Sequence, residues 1–376
     1  MRIAINTRFL LSKKMEGFGW FTYEIVKRIV LNHPEHEFIF FFDRKYDPTF
    51  VFADNVKAVV LSPPARHPIL FKIWFNRSIT RALKKYKADL FFSPDGYLSL
   101  KTETPQIGVI HDLNFEHYPQ DLPKSALKYL RTFFPLFAKK AHHIITVSNY
   151  SKKDICNTYQ IKPEKVTVAH NAANEIFKPV TESEREEVKR DFSANQDFFV
   201  FVGALHARKN VARLFSAFEA FKNQTTSKTQ LLIVGEAMWG DQRIEKAYQT
   251  NAFKNHIHFT GHLPLEQLAR VVASARALLF PSYFEGFGIP LVEAMQSGTA
   301  VCCANKTSLP EVVDGAALMF DPFDTSDMAS QLVKIDENEA LRNELVQKGL
   351  ERAKAFSWDQ SAQIIWNTLE KTMADL

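Results

Sequence analysis

The sequence predicts an α/β protein built from two doubly wound parallel sheets in tandem, and three observations predict it. Short apolar runs alternate with longer amphipathic stretches along the chain, and the runs are apolar on both faces, as strands of a parallel sheet covered on two sides must be. At 376 residues the chain exceeds what one hydrophobic core usually serves. The strand–helix rhythm also stops over 172–184, a mixed polar stretch containing Pro179, and then starts again. The expected domains are therefore 1–175 and 176–376, each Rossmann-like.

In the first half, strands are expected at Arg2 to Thr7, Phe38 to Phe42, Val56 to Leu61, Leu90 to Phe92, Gln106 to Ile110, His143 to Val147 and Lys165 to Ala169. Helices are expected at Trp20 to Leu31, Leu70 to Lys87 and Ser125 to Lys140, the last with a kink at Pro135. In the second half the strands are Phe198 to Val202, Leu231 to Val234, Ile257 to Phe259, Ala277 to Phe280, Ala300 to Cys302 and Ala317 to Phe320. A final helix, about Trp358 to Met373, is long enough to reach back to the first domain. Two such sheets in tandem predict a cleft between them. Ligands of open α/β sheets bind outside the carboxyl ends of the strands, so the residues just after each strand carry the information.

An apolar content of 46% and a charged content of 24% are those of a soluble globular enzyme. No run approaches the roughly 20 apolar residues that span a bilayer. The N-terminus reads as a strand rather than a signal peptide, which points to the cytoplasm. The three cysteines, two of them adjacent at 302 and 303, form neither a disulfide framework nor a metal-ligand pattern. Charge is unevenly divided. Residues 1–175 hold 26 Lys/Arg against 16 Asp/Glu, and residues 176–376 hold 21 against 26. The basic half should meet something acidic, such as a phosphorylated substrate or a membrane surface. No helix-turn-helix, RNP-like or zinc-finger pattern supports nucleic acid.

The densest candidate site is 280–298. An apolar strand enters a turn with a carboxylate and two glycines, Glu285-Gly286-Phe287-Gly288. A helix then opens at Pro290, a residue suited to the first helical position, and closes at Gly298. A helix start fed by such a loop offers N–H groups and a positive dipole end to an anion. Glu293 lies eight residues after Glu285. After the first strand of the second half, Arg208-Lys209 opens another helix and suits a diphosphate, a fork and a point charge side by side. A solvated surface pair is the plainer reading. His111 ends a strand and suits hydrogen bonding to a substrate hydroxyl or acid–base work, or else it merely caps the strand with Asp112. Gly17-Phe18-Gly19 lacks the third glycine of a dinucleotide fingerprint and reads as a loop near a phosphate or sugar, or as a plain turn. Two segments interleave aromatic and cationic residues, Leu70 to Lys87 and Lys124 to His143. They suit an anionic membrane surface, or are core-facing helices with solvated outer faces.

Taken together these residues resemble the retaining, GT-B-fold glycosyltransferases of family 4, often called glycosyl transferases group 1, and within them bacterial mannosyltransferases. The resemblance rests on Asn6-Thr7-Arg8 with Gly17-Phe18-Gly19, Val109-Ile110-His111-Asp112-Leu113, Ile145 through Lys152, Val202-Gly203 through Arg208-Lys209-Asn210, Glu285 through Glu293 as an E-x7-E motif, and Pro310-Glu311-Val312. It implies a nucleotide-diphosphate sugar as donor, GDP-mannose first and a UDP-sugar second, and a glycan or lipid-linked glycan acceptor in surface polysaccharide synthesis. It implies no metal and no cofactor, and a place in the cytoplasm that extends to the inner face of the membrane. His111 and Glu285 would be catalytic, both at the donor sugar. Arg208 and Lys209 would neutralise the diphosphate, and Gly286, Phe287 and Gly288 would hold the sugar through backbone N–H groups. Glu293 would accept from the ribose hydroxyls, and the Gly17–Gly19 loop would close over phosphates or acceptor. Two positions depart from the family pattern: Ala204 stands where an Arg often follows the glycine, and His170-Asn171-Ala172-Ala173 replaces a segment that usually carries a glycine. A sugar-nucleotide epimerase of GT-B architecture and a non-catalytic partner subunit are the alternative readings.

Overall fold

The computed structural model describes residues 1–12, 15, 17–236 and 242–375, which form two compact units. Unit 1 comprises Met1–Asn171 together with the chain from Trp358 onward, and unit 2 is Ala172–Ser357.

Unit 1 holds a seven-stranded sheet of β1 Arg2–Asn6, β2 Glu37–Phe42, β3 Val56–Val60, β4 Leu90–Ser93, β5 Gln106–Val109, β6 His143–Thr146 and β7 Val166–Val168. The order is β3-β2-β1-β4-β5-β6-β7 and every pairing is parallel. Five of the six β2 residues are buried, so its apolar run is continuous rather than alternating. Unit 2 repeats the scheme with β8 Phe198–Val202, β9 Gln230–Val234, β10 Ile257–Gly261, β11 Ala277–Phe280, β12 Ala300–Ala304 and β13 Leu318–Phe320, in the order β10-β9-β8-β11-β12-β13. Each sheet reverses its direction of growth once, between β1 and β4 and between β8 and β11. Those are the topological switch points, where the carboxyl ends of neighbouring strands open a crevice.

Two helices differ from expectation. The first runs Gly17–Asn32, so Gly17 and Gly19 belong to its opening turn and not to an open loop. Gly19 is required by close packing, since a Cβ there would fall 2.8 Å from the Phe9 carbonyl oxygen and 2.6 Å from Met15 Cγ. The stretch expected as one helix over 70–87 is Pro68–Ile73, a wider π turn Trp74–Ile79, then Thr80–Tyr86. Within it Trp74 and Phe75 are fully buried, and Trp74 Nε1 donates to the Leu61 carbonyl at 3.0 Å. The Lys124–Lys140 helix contains Pro135 without ending there.

The last helix, Trp358–Ala374, packs on Gly17–Asn32 and so belongs to unit 1, whereas a boundary at 175 alone assigns it to the second domain. The Trp366 ring stacks on His33 at 3.6 Å, Trp358 meets Phe21 edge-on at 6.1 Å, and Asp359 accepts from Arg28 Nε at 2.5 Å. Ile365 and Leu369 are completely buried on the same face, each worth roughly 1.5–3 kcal/mol.

Candidate active site

In unit 2, β8 ends in Gly203, and a short 3-10 turn, Ala207–Lys209, leads through the left-handed Asn210 (φ 61°) into the helix Val211–Gln224. Asparagine tolerates that conformation, and here its amide is also used. Asn210 Nδ2 donates to the carbonyls of Pro281 (3.2 Å) and Pro322 (2.7 Å), and the Tyr283 N–H donates to the Arg208 carbonyl at 3.1 Å. These bonds fasten the Arg-Lys turn to the loop that follows β11. Glu285 in that loop accepts from Lys209 Nζ at 2.6 Å and pairs with Arg208 Nη1 at 2.7 Å. Arg208 also donates to the Phe284 carbonyl at 3.1 Å. Burial opposes ionisation of Glu285, but the Arg208 and Lys209 charges outweigh it and hold the carboxyl down to about 2.

The loop itself is held by two hydroxyls. The Glu285 N–H donates to Thr307 Oγ1 at 3.1 Å, and Ser308 Oγ donates to the carbonyls of Glu285 (2.9 Å) and Phe287 (3.1 Å). Gly288 then turns with φ +103°, where a Cβ would be strained and would meet Leu309 at 2.9 Å. The helix Ile289–Gln296 starts there with Pro290 in its first turn and an N-cap, Gly288, that has no side chain to bond its N–H groups, and Gly298 (φ +69°) follows its end. Glu293 lies one turn in and is part-buried. Among the described residues no donor or cation reaches its carboxyl, and burial pushes it up to about 8. The two glutamates of the motif thus occupy opposite environments, one ionised between two cations and one waiting for a partner.

In unit 1 the ring of His111, just past β5, lies edge-on to Phe18 (4.7 Å) and Phe21 (4.8 Å), both from the first helix. Its Nε2 is 2.8 Å from the Pro94 carbonyl, which can only accept, so Nε2 carries the proton. Burial holds the imidazole below its ordinary value, with the Pro94 carbonyl, Asp112 and Asp95 offsetting only part of that. The Nε2–H is therefore spent inside the protein, and Nδ1 is what His111 can present, as an acceptor. Gly17 and Gly19 flank Phe18 and so help place that ring.

Sequence reasoning placed Asn6-Thr7-Arg8 at a strand end but missed that Arg8 pairs with Asp95 to fill the switch point of unit 1. Arg8 Nε donates to Asp95 Oδ2 at 2.6 Å, while Asp95 Oδ1 accepts from Asn6 Nδ2 (2.9 Å), Ser93 Oγ (3.0 Å) and the Tyr97 N–H (3.2 Å). The rings of Phe9, Phe71, Phe75 and Tyr97 surround the guanidinium at 4.5–5.4 Å. The signal was present, because both segments end strands, but nothing local in the sequence joins them. Thr307 and Ser308 were missed as well; they lie just before Pro310-Glu311-Val312. The candidate residues thus gather into two sets, Arg208, Lys209, Glu285, Gly286–Gly288 and Glu293 in unit 2, and His111, Gly17 and Gly19 in unit 1.

Among the described residues no three His, Cys, Asp or Glu side chains converge to hold a metal ion, and no helix is long and apolar enough to cross a membrane. The aromatic residues of the two basic helical segments turn inward. Trp74, Phe75, Tyr129, Phe134 and Phe137 are buried, while Lys72, Arg77, Arg81, Lys84, Lys85, Lys124 and Lys128 are exposed.

Two parallel Rossmann-like units with polar groups gathered at both switch points define a GT-B protein. The chain belongs to the family 4, group 1 glycosyltransferases: residues 17–175 match the family described as Glycosyltransferase Family 4, and residues 182–352 match Glycosyl transferases group 1. It is 26% identical over 356 residues to the O-antigen chain mannosyltransferase B of Escherichia coli, covering 92% of this chain and 93% of that one. Its fold is similar to that of sucrose-phosphate synthase from Thermosynechococcus elongatus (TM-score 0.81, 20% identity, all of both chains). It is also similar to HepE from Anabaena, solved with UDP-glucose (TM-score 0.77, 17% identity, 99% and 100% coverage).

Proposed function

We propose that this enzyme is a retaining mannosyltransferase of surface polysaccharide synthesis, moving mannose from GDP-mannose to a growing, lipid-linked glycan. The observation that carries the reading is the joined pair of loops in unit 2, where Arg208, Lys209 and Glu285 meet beside a Gly turn and an uncapped helix start. Leaving of a nucleoside diphosphate builds negative charge on its oxygens and positive charge at the anomeric carbon. Fixed cations and N–H dipoles at the first are worth several kcal/mol in a water-poor site. Arg208 and Lys209 supply the cations. Glu285, kept ionised by them, accepts from the sugar hydroxyls and orients the ring. Glu293 accepts from the ribose hydroxyls, which gives its unpartnered carboxyl the donors it lacks.

In the reaction the bond from the anomeric carbon to the diphosphate oxygen breaks, and the acceptor hydroxyl oxygen bonds to the same face. The acceptor proton passes to the departing diphosphate. The charge of the leaving group rests on Arg208 and Lys209, with no metal ion assigned a part. His111 contributes a hydrogen-bond acceptor, Nδ1, toward the donor sugar. The likeness to an O-antigen mannosyltransferase over 92% of the chain supports mannose as the sugar. The basic outer faces of unit 1 support peripheral contact with an anionic membrane, through cations alone since the aromatic rings are inside.

Thermal protection by nucleotides tests the reading. GDP and GDP-mannose at millimolar concentration should raise the melting temperature and UDP should not. Protection by UDP instead would replace the donor, and protection by neither would remove the enzyme reading. Product anomers formed from GDP-mannose in the presence of membrane extract then report retention.

A further inference from the structure

We propose that unit 1 carries a second anion site, a basic hollow at the amino-terminal edge of its sheet that takes a ligand bearing two or more phosphate groups. The cavity has a volume of about 720 Å³. It lies where β6 and the edge strand β7 begin, against the last turns of the helices Lys124–Lys140 and Trp358–Ala374. The switch points lie at the opposite, carboxyl ends of the strands, so this hollow is separate from every residue assigned to the sugar donor.

Four lysines line it, Lys139, Lys162, Lys165 and Lys371, together with His142 and His143. The acidic lining residues are Glu164 and Asp375. None of the four lysines forms an ion pair with a carboxylate among the described residues. Lys139 and Lys371 sit in last turns, where a cation also suits the helix dipole, and that alone explains many lysines. Lys165 serves the same helix end, its Nζ donating to the Ala138 (3.2 Å) and Lys139 (2.9 Å) carbonyls. The helix ends do not explain Lys162, which comes from a separate connector. His143, bonded through Nε2 to Thr167 Oγ1 at 2.8 Å, is held down to about 4 by burial and then by the charges of His142, Lys371, Lys152 and Lys165.

Ammonium groups are compact point charges that bind phosphate oxygens, and a hollow of this size accommodates a small ligand. Asn367 and Thr368 on the last helix add neutral hydrogen-bonding groups for the remaining oxygens. A neutral glycan would need none of the lysines, and a single phosphate would leave most of them unused. The fitting ligand is an oligophosphate, either free or as the headgroup of a lipid.

Isothermal titration with tripolyphosphate tests the site on three proteins: the unaltered chain, Lys162→Glu/Lys371→Glu, and Arg208→Ala/Lys209→Ala. Charge reversal in the hollow should weaken binding by about tenfold or more, the equivalent of one charge-assisted hydrogen bond lost. The Arg208/Lys209 variant should keep that binding. If the Lys162/Lys371 variant binds as the unaltered chain does, or no protein binds at millimolar concentration, the proposal is wrong. Lys371→Gln, a milder change on an exposed turn, replaces the double variant if that one melts early. Phosphatidylcholine vesicles with and without a prenyl diphosphate lipid separate the sources. Competition between the diphosphate-lipid vesicles and tripolyphosphate that depends on Lys162 and Lys371 assigns a lipid headgroup, and its absence assigns a soluble ligand.

Discussion

The two switch points of this protein hold the same chemical pairing, an arginine against a carboxylate, and treat it in opposite ways. In unit 1 the Arg8 and Asp95 side chains are 4% and 3% exposed, every Asp95 oxygen is bonded, and four aromatic rings close over the guanidinium. In unit 2 the carboxylate faces two cations, the Lys209 ammonium lies over the Phe280 ring at 4.8 Å, and Arg208 keeps 24% of its side chain exposed beside a glycine turn and a helix start. An ion pair walled in by aromatics can only hold elements together. One that is partly open, on a loop whose helix start lacks a cap, can exchange partners with a ligand. The comparison teaches that the fold's ligand crevice is filled structurally in one unit and kept for chemistry in the other.

The largest effect should come from breaking the closed pair. Asp95→Ala leaves the buried Arg8 charge without its carboxylate and strips acceptors from Asn6 and Ser93, a loss of about 3–5 kcal/mol. Chemical denaturation should show it as a lower midpoint, and Arg8→Ala with Asp95→Ala together should recover part of the loss. Glu285→Gln should do the reverse. It should cost transfer activity by about a hundredfold or more while the fold persists, because what it removes acts on the transition state. A variant that keeps its turnover would take Glu285 out of the site. A midpoint drop as large as that of Asp95→Ala would mean that the open pair is structural too.

The two glutamates sharpen the contrast through pH. Glu285 is held at about 2, below the ordinary carboxylate value of 4.5, so its stabilisation is present above that value and fades as pH falls toward 2. Glu293 is pushed up to about 8, so the folded protein keeps it neutral while the unfolded chain ionises, and stability is lost as pH rises from 4.5 to 8. Glu293→Gln should therefore raise the melting temperature at pH 8 and leave it unchanged near pH 4. Ribose hydroxyls that donate to the carboxylate lower its pKa, so nucleotide affinity should climb by about tenfold between pH 6.5 and 8 and then level. In Glu293→Gln the climb should vanish. A pH-independent affinity in the unaltered protein would separate Glu293 from the nucleotide.

Much of this was legible from the residues. The thirteen strands among the described residues were all readable, the central ones as continuous apolar runs because they are buried on both faces, β1 from its alternation, and β3 and β10 although much of each is only half-buried or exposed. The E-x7-E stretch was legible in its local features, Pro290 at the helix start and Gly288 at the turn. What local pattern cannot carry is the joining of distant loops. Glu285 meets Arg208 and Lys209 across more than seventy positions, and Arg8 meets Asp95 across as many, each brought together only by strand order. The π turn at 74–79 was illegible for a related reason: Trp74 is set by its bond to Leu61 and its place in the core, not by helix propensity. The protonation of His111 likewise depends on a carbonyl seventeen residues away.

The smallest effect concerns the outer faces of the units, where 1–175 carries the surplus of basic residues and 176–376 the surplus of acidic ones. With the rings of Trp74 and Phe75 buried, attraction to a membrane must come from exposed cations such as Lys84 and Lys85. Near an anionic surface each such charge is worth about 1 kcal/mol and is screened within a Debye length. Lys84→Glu/Lys85→Glu should thus weaken binding to phosphatidylglycerol vesicles several-fold at low salt, with little difference left near 0.5 M salt and none in transfer to a soluble acceptor. Binding that resists salt would require buried apolar contact, which the exposed Ile69, just before the Leu70–Lys87 segment, and Leu136, within Lys124–His143, are able to provide. Equal binding by both proteins at low salt would move the membrane face elsewhere, and the hollow around Lys162 and Lys371 is the next basic surface of unit 1 to alter.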